Sequence, residues 1–230
     1  MNTIRQFSFV LLFLVVAGAI SGAMPTVPQT TPAAFEASTA STLTPAVAVG
    51  FKVVGQPAGL YGKVYTPPRP AFAFTLPAST GEVIHLRDLQ GRVVLFFFGY
   101  TACPDVCPTT LADIKGALTQ LGDAAQAVTV LFITVDPARD TPAHLAEYLG
   151  YFHEANFLGL SGSEAETAAI AYQYGAKFYR EEGVTATGGY NMAHTARLFL
   201  INRQGAWAMT MEYGTPADQI AANLAYWLAQ

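Results

Sequence analysis

Two apolar runs, Val93 to Phe98 and Val128 to Val135, constrain the fold of this chain more than any other feature. Both are rich in Val, Leu, Ile and Phe and carry no charge. A strand that alternates polar and apolar residues buries one face. A strand of this kind is buried on both, so it sits at the centre of a sheet covered by helices. Between the runs, Leu111, Ile114, Leu118 and Leu121 recur at intervals of three, four and three residues, the buried face of an amphipathic helix that Gly122 ends. The unit is strand, helix, strand.

Elements of the same grade surround it. A hairpin is expected from Phe72–Thr75 and Glu82–His85 through Ser79-Thr-Gly81, and Asp88 to Gly91 turns into the first apolar run. Thr141-Pro142 reads as a helix cap followed by a first helical residue. Phe157 to Leu160 reads as a short strand and Glu164 to Tyr174 as a helix. Thr195–Ile201 and Ala206–Glu212 make a second hairpin through Asn202 to Gly205, and Thr215-Pro216 opens a last helix ending near Leu228. This order predicts an α/β fold of the thioredoxin-like kind. Its central mixed β-sheet is flanked by helices and carries an extra N-terminal β-hairpin.

The N-terminal quarter is of different composition. Arg5 precedes an almost wholly apolar stretch, Phe7 to Met24, and no Lys or Arg follows until Lys52. Positive charge stays on the cytoplasmic side, so residues after 24 are expected across the membrane. Residues 1–24 read as a membrane anchor or a cleaved signal segment; small residues at Ala17, Ala19, Ser21 and Ala23 suit cleavage. No Cys lies near enough to carry a lipid. Residues 25–64 read as a Pro/Thr/Ala-rich tether and residues 65–230 as one domain with a sizeable core. A net charge of −4 without a basic stripe excludes nucleic acid as a partner class.

Only two cysteines occur, in Cys103-Pro-Asp-Val-Cys107-Pro108, directly after the first apolar run. On the extracytoplasmic side a pair tends to be oxidised, yet a bridge closing so short a loop stabilises little. Redox chemistry or soft-metal binding is the better reason for the pair. Pro108 fits the first helical position, which puts Cys107 at or near the cap and both sulfurs near a helix N-terminus. Both thiols are therefore expected to ionise readily.

With these residues in view, the chain resembles the SCO/SenC family of copper-binding, membrane-anchored thioredoxin-like proteins. The resemblance rests on Phe98-Gly-Tyr-Thr-Ala-Cys-Pro-Asp-Val-Cys-Pro108, on Val135-Asp-Pro-Ala-Arg-Asp-Thr-Pro142 and on Tyr190-Asn-Met-Ala-His-Thr195, and covers residues 65 to 228. Ala102 stands where family members often carry His, and Ala193 where Asp often precedes the histidine. The resemblance implies one copper ion held by Cys103, Cys107 and His194. It further implies delivery of that ion to the dinuclear copper site of cytochrome c oxidase. The partners would then be the copper-site subunit of the oxidase, another copper carrier or thiol reductant, and the membrane. Two thiolates and an imidazole suit Cu(I) and accept Cu(II), and three ligands leave a position open for ligand exchange.

Among other candidates, Asp136 ends the second apolar run and is a candidate hydrogen-bond acceptor near the metal, the alternative being a turn cap with Pro137. Asp105 is expected to satisfy helix-terminal N–H groups and is, with Asp136, a candidate to support the metal ligands without touching the ion. His144 reads as a surface residue, His85 as a strand end and His153 as a loop residue. Met192, Met209 and Met211 read as core or loop residues, and Tyr100 with Phe96 to Phe98 as walls of the site. The favoured reading is a metallochaperone rather than an enzyme. The alternative is a thiol–disulfide oxidoreductase or peroxidase with Cys103 attacking and Cys107 resolving, although such reductases usually have two residues between their cysteines. A third reading is an interaction domain with an inert disulfide.

Overall fold

The computed structural model describes residues 58–152, 156–183 and 189–230. Residues 1–57, which hold the expected anchor and most of the expected tether, and residues 153–155, His153 among them, and 184–188 lie outside the described residues. In chain order the strands are β1 (Lys63–Pro70), β2 (Thr75–Pro77), β3 (Val83–His85), β4 (Val93–Gly99), β5 (Val128–Thr134), β6 (Phe157–Leu160), β7 (Phe178–Arg180), β8 (Met192–His194), β9 (Arg197–Ile201) and β10 (Ala206–Glu212). The helices are α1 (Val106–Leu121), α2 (Pro142–Gly150), α3 (Glu164–Gln173) and α4 (Ala217–Leu228). Among the described residues, no helix is long and apolar enough to cross a membrane.

The two apolar runs are β4 and β5, paired in parallel from Val93 opposite Val128 to Gly99 opposite Thr134. Every residue of both is buried. They lie at the centre of a six-stranded mixed sheet ordered β1-β10-β9-β4-β5-β6. β6 is parallel to β5, whereas β9 is antiparallel to β4 and β10 to β9. Successive β4 side chains point to opposite faces. Val93, Leu95 and Phe97 join a core with Leu111 and Ile114 of α1, Leu145 of α2 and Leu224 of α4. Val94, Phe96 and Phe98 join a second core with Leu76 of β2, Ala171 of α3 and Met192 of β8. Helices on one face, and a helix with the hairpin on the other, explain why no polar residue alternates in β4.

The fold is therefore the thioredoxin-like α/β architecture with the extra hairpin, β2 to β3, shifted slightly from its expected span. Ala78 pairs with Leu160, which docks the hairpin on the edge strand β6. Two elements differ from expectation. β1 is a strand where the sequence reads as tether and domain entry: Lys63 and Val64 pair with β10, Leu60 is buried, and the Tyr61 N–H donates to Asn223 at 2.9 Å. Its prolines hide it from a pattern reading, and an edge strand with a bulge between Val64 and Arg69 accommodates them. The second is the two-stranded ribbon of β7 and β8, in which Phe178 opposes His194.

Candidate metal centre

The centre lies beyond the carboxyl end of β4, where sites in open α/β sheets gather. After Gly99 the chain turns through Tyr100 to Asp105 and enters α1. The turn is held from below by Asp140, which is fully buried. Its carboxylate accepts from the Thr101 N–H at 3.0 Å, the Thr101 hydroxyl at 2.5 Å and the Thr134 hydroxyl at 2.6 Å. A buried carboxylate with three donors is a fixed strut between the ends of β4 and β5.

Helix α1 begins two residues earlier than Pro108 predicts: Asp105 is the N-cap and Pro108 the third helical residue. A proline is tolerated there because the first N–H groups of a helix have no intrahelical partner. Asp105 does not cap with its side chain; its carboxylate accepts only from the Thr109 hydroxyl, at 3.3 Å. Cys107 falls on the buried stripe that continues through Leu111 and Ile114 and is wholly inaccessible, while Cys103 is half-buried. The Cys107 N–H points at the Cys103 Sγ, 3.5 Å away.

His194 ends β8 rather than preceding a strand, with β9 starting three residues on. Its Nδ1–H donates to the Thr195 carbonyl at 3.3 Å, which turns Nε2 toward the thiols, 3.6 Å from the Cys107 Sγ. Such an outer hydrogen bond sets the tautomer in which Nε2 is free to ligate. The Tyr100 ring stands edge-on to the imidazole, centroids 5.8 Å apart. One ligand atom each from Cys103, Cys107 and His194 lie within 4.8 Å of one another, the sole such group of three among the described residues. A cleft of ≈ 310 Å³, lined by Tyr100, Cys103, Val106, Met192, Ala193 and His194 among others, opens onto the cluster.

The sulfurs do not share one ionisation state. A hydrogen bond from Cys107 holds the Cys103 thiol down to about 3 against the opposing effect of burial, helped by His194 and the N–H groups of Asp105 and Cys107. Cys107 is pushed far up by the same hydrogen bond, by burial and by the Cys103 charge. Both thiols are expected from sequence to ionise; in the structure the two are driven apart, Cys103 toward the thiolate and Cys107 toward the thiol. Two negative sulfurs this close in a desolvated pocket repel, so one proton stays and is shared.

Asp136 is buried, and its carboxylate accepts from the Tyr190 hydroxyl and the Arg139 guanidinium rather than from a thiol or His194. His144 is exposed and its Nε2 lies 3.1 Å from the Thr101 hydroxyl, and His85 bonds Thr75 at 2.7 Å. Met209 and Met211 are core residues, and Met192, the first residue of β8, is buried in the second core. The sequence reading missed Asp140 and Gly99. A β-carbon at Gly99 would stand 2.8 Å from the Cys107 Sγ and 2.9 Å from the Phe132 ring, so only glycine leaves room for the thiol. Nothing in the sequence separates that glycine from one that merely ends a strand.

The family model described as SCO1/SenC matches residues 66–229. The chain belongs to the SCO1/SenC family. Among relatives, an SCO2-like protein of Rickettsia felis is 34% identical over 134 residues, which take in 58% of this chain and 65% of that protein. The match thus spans less than two thirds of the relative's length. Among solved structures, Bradyrhizobium japonicum ScoI with copper bound is 37% identical with a TM-score of 0.62, covering 69% of this chain and 99% of that one. The apo Sco1 protein of Thermus thermophilus is 35% identical with a TM-score of 0.64, covering 73% and 96%. The matched range contains Cys103, Cys107 and His194.

Proposed function

We propose that this protein is a copper metallochaperone that carries one copper ion on Cys103, Cys107 and His194 and delivers it for assembly of the dinuclear copper site of cytochrome c oxidase. The observation that carries the reading is the convergence of the three ligand atoms within 4.8 Å at the mouth of an open cleft. Bonds from a d10 ion to thiolate and imidazole run about 2.0–2.3 Å, so ligand atoms on one ion stand at most about 4.5 Å apart. Small side-chain rotations close the set. Binding displaces the proton on Cys107, so both thiolates and Nε2 face the ion. Three ligands leave a coordination position toward the cleft, and a thiolate of the acceptor takes the ion by ligand exchange there. Residues 1–24 anchor the domain and the stretch from residue 25 up to the entry of β1 tethers it on the extracytoplasmic side, within reach of a membrane-bound acceptor.

The test is an anaerobic copper titration of the reduced protein. One copper per chain is expected, with binding lost on Cys103→Ala or Cys107→Ala and strongly weakened by His194→Ala. Tight binding unaffected by His194→Ala would refute this ligand set.

One observation favours a second activity of the same pair. An accessible thiolate at Cys103 beside a protonated, buried Cys107 is the arrangement of an attacking and a resolving thiol. Cys103 would attack a disulfide of the acceptor and form a mixed disulfide, and Cys107 would displace the second acceptor thiol. The acceptor disulfide would be reduced by two electrons and the pair oxidised to Cys103–Cys107. Stoichiometric reduction of a disulfide-bonded acceptor by the metal-free protein, insensitive to His194→Ala, is the expected signature.

A further inference from the structure

Tyr190 belongs to the motif that contains His194, and its contacts are with Asp136, Arg139 and Arg180. Its ring is sandwiched between two guanidinium groups, Arg139 at 3.8 Å and Arg180 at 3.6 Å from the centroid. Its hydroxyl donates to Asp136 Oδ1 at 2.7 Å, and its carbonyl accepts from Arg139 Nη1 at 2.9 Å. Arg139 Nε closes the circuit by donating to Asp136 Oδ2. Asp136 is itself fixed, since its N–H donates to the Thr134 hydroxyl at the end of β5. The Arg139 guanidinium also lies 5.6 Å from the centroid of Tyr100, the ring that abuts His194.

The element these contacts hold is the ribbon of β7 and β8, a two-stranded sheet paired only within itself. A two-stranded ribbon is marginal by itself, and its place is set by what it docks on. His194 lies at its end, so an unfastened ribbon carries the imidazole away from the two thiols. The thiols have no such freedom, because they sit on a buried helix and a strutted turn.

We propose that Asp136, Arg139 and Tyr190 form a clasp that fastens the β7–β8 ribbon to the end of β5 and thereby positions His194 over the thiols. The clasp residues are positioning residues: they set the strength of copper binding without touching the ion. This rests on the copper-site reading above and adds that one ligand is placed by a separate, breakable contact set.

The test has a metal-free arm and a copper arm, using Arg139→Gln and Tyr190→Phe in the full chain. In the reduced, metal-free protein, hydrogen exchange is followed at the Glu181 and Thr195 amides, which bond across the ribbon to Asn191 and Lys177. Arg139→Gln is expected to speed exchange there about 10-fold or more while β4 and β5 amides keep their protection. In the copper arm, Cu(I) affinity is measured by competition with a chromophoric chelator, in the native and the His194→Ala backgrounds. Loss of about 10-fold is expected in the native background. In His194→Ala the same variants should change affinity less than about 2-fold, since no ligand remains for the clasp to place. Tyr190→Phe keeps the stacked ring and loses one hydrogen bond, so its effects should be the smaller. Equal losses in both backgrounds, or unaltered ribbon exchange, overturn the clasp. A native chain that binds no copper refutes the copper site instead, and ribbon exchange still decides whether the clasp holds.

Discussion

At the residue scale, the centre is defined by an asymmetry between two like side chains. Cys103 lines the cleft with its pKa held down and Cys107 is enclosed with its pKa pushed up, although only three residues separate them. A depressed pKa means that Cys103 ionisation stabilises the reduced fold above the ordinary thiol pKa, and that this contribution drains away as pH falls toward about 3. Between these limits the thiolate persists. Alkylation of the reduced, metal-free protein by iodoacetamide should therefore vary less than about 2-fold from pH 5 to 8. An unperturbed thiol would speed up several-hundred-fold over the same interval. Cys107→Ala removes the donor and should restore a steep pH dependence. Gly99 tests the packing behind the sulfur: Gly99→Ala drives a methyl into Cys107 and Phe132 and should cost about 1–3 kcal/mol in denaturant unfolding. Copper affinity should fall with it. The sequence disclosed which side chains matter here but not their protonation, because ionisation depends on the distance between sulfurs and on burial.

At the element scale, the site is assembled by the turn before α1 and by the ribbon that ends in His194. The turn depends on Asp140, whose loss leaves the Thr134 hydroxyl and the Thr101 N–H without their acceptor. Asp140→Ala should destabilise the protein by about 2–4 kcal/mol, measured by urea unfolding. It should also loosen the Cys103 turn, so copper should dissociate faster. The long elements were legible in the sequence: β4, α1, β5 and α2 lie where apolar periodicity and the Thr141-Pro142 cap put them. The start of α1 was misplaced because proline is as compatible with the third helical position as with the first. β1 was missed because it is an edge strand full of proline. β7 and β8 were missed because three-residue strands carry no period, and their pairing spans the residues between them.

At the scale of the whole molecule, two packed cores on either face of one sheet make the domain a single body into which the cluster of Cys103, Cys107 and His194 is set. Copper that binds the folded chain alone stabilises it by mass action, about 2.7 kcal/mol at a free concentration 100 times Kd. For a domain of this size that corresponds to a rise in Tm of about 5–10 °C, read by calorimetry of the reduced protein with and without Cu(I). His194→Ala should shrink the shift, and replacement of both cysteines should abolish it. The three residues brought together at the site were named by the chain's resemblance to the SCO/SenC family. The sequence alone determined the α/β class and the two central strands. These follow from local pattern and side-chain chemistry, which need no knowledge of distant contacts. The tertiary structure alone decided which sulfur is charged, what keeps the Cys103 turn rigid, and how His194 reaches a pair of thiols in a segment so distant along the chain. Those depend on through-space distances among residues from β4, α1, β5 and the ribbon, and a linear order of residues does not contain them.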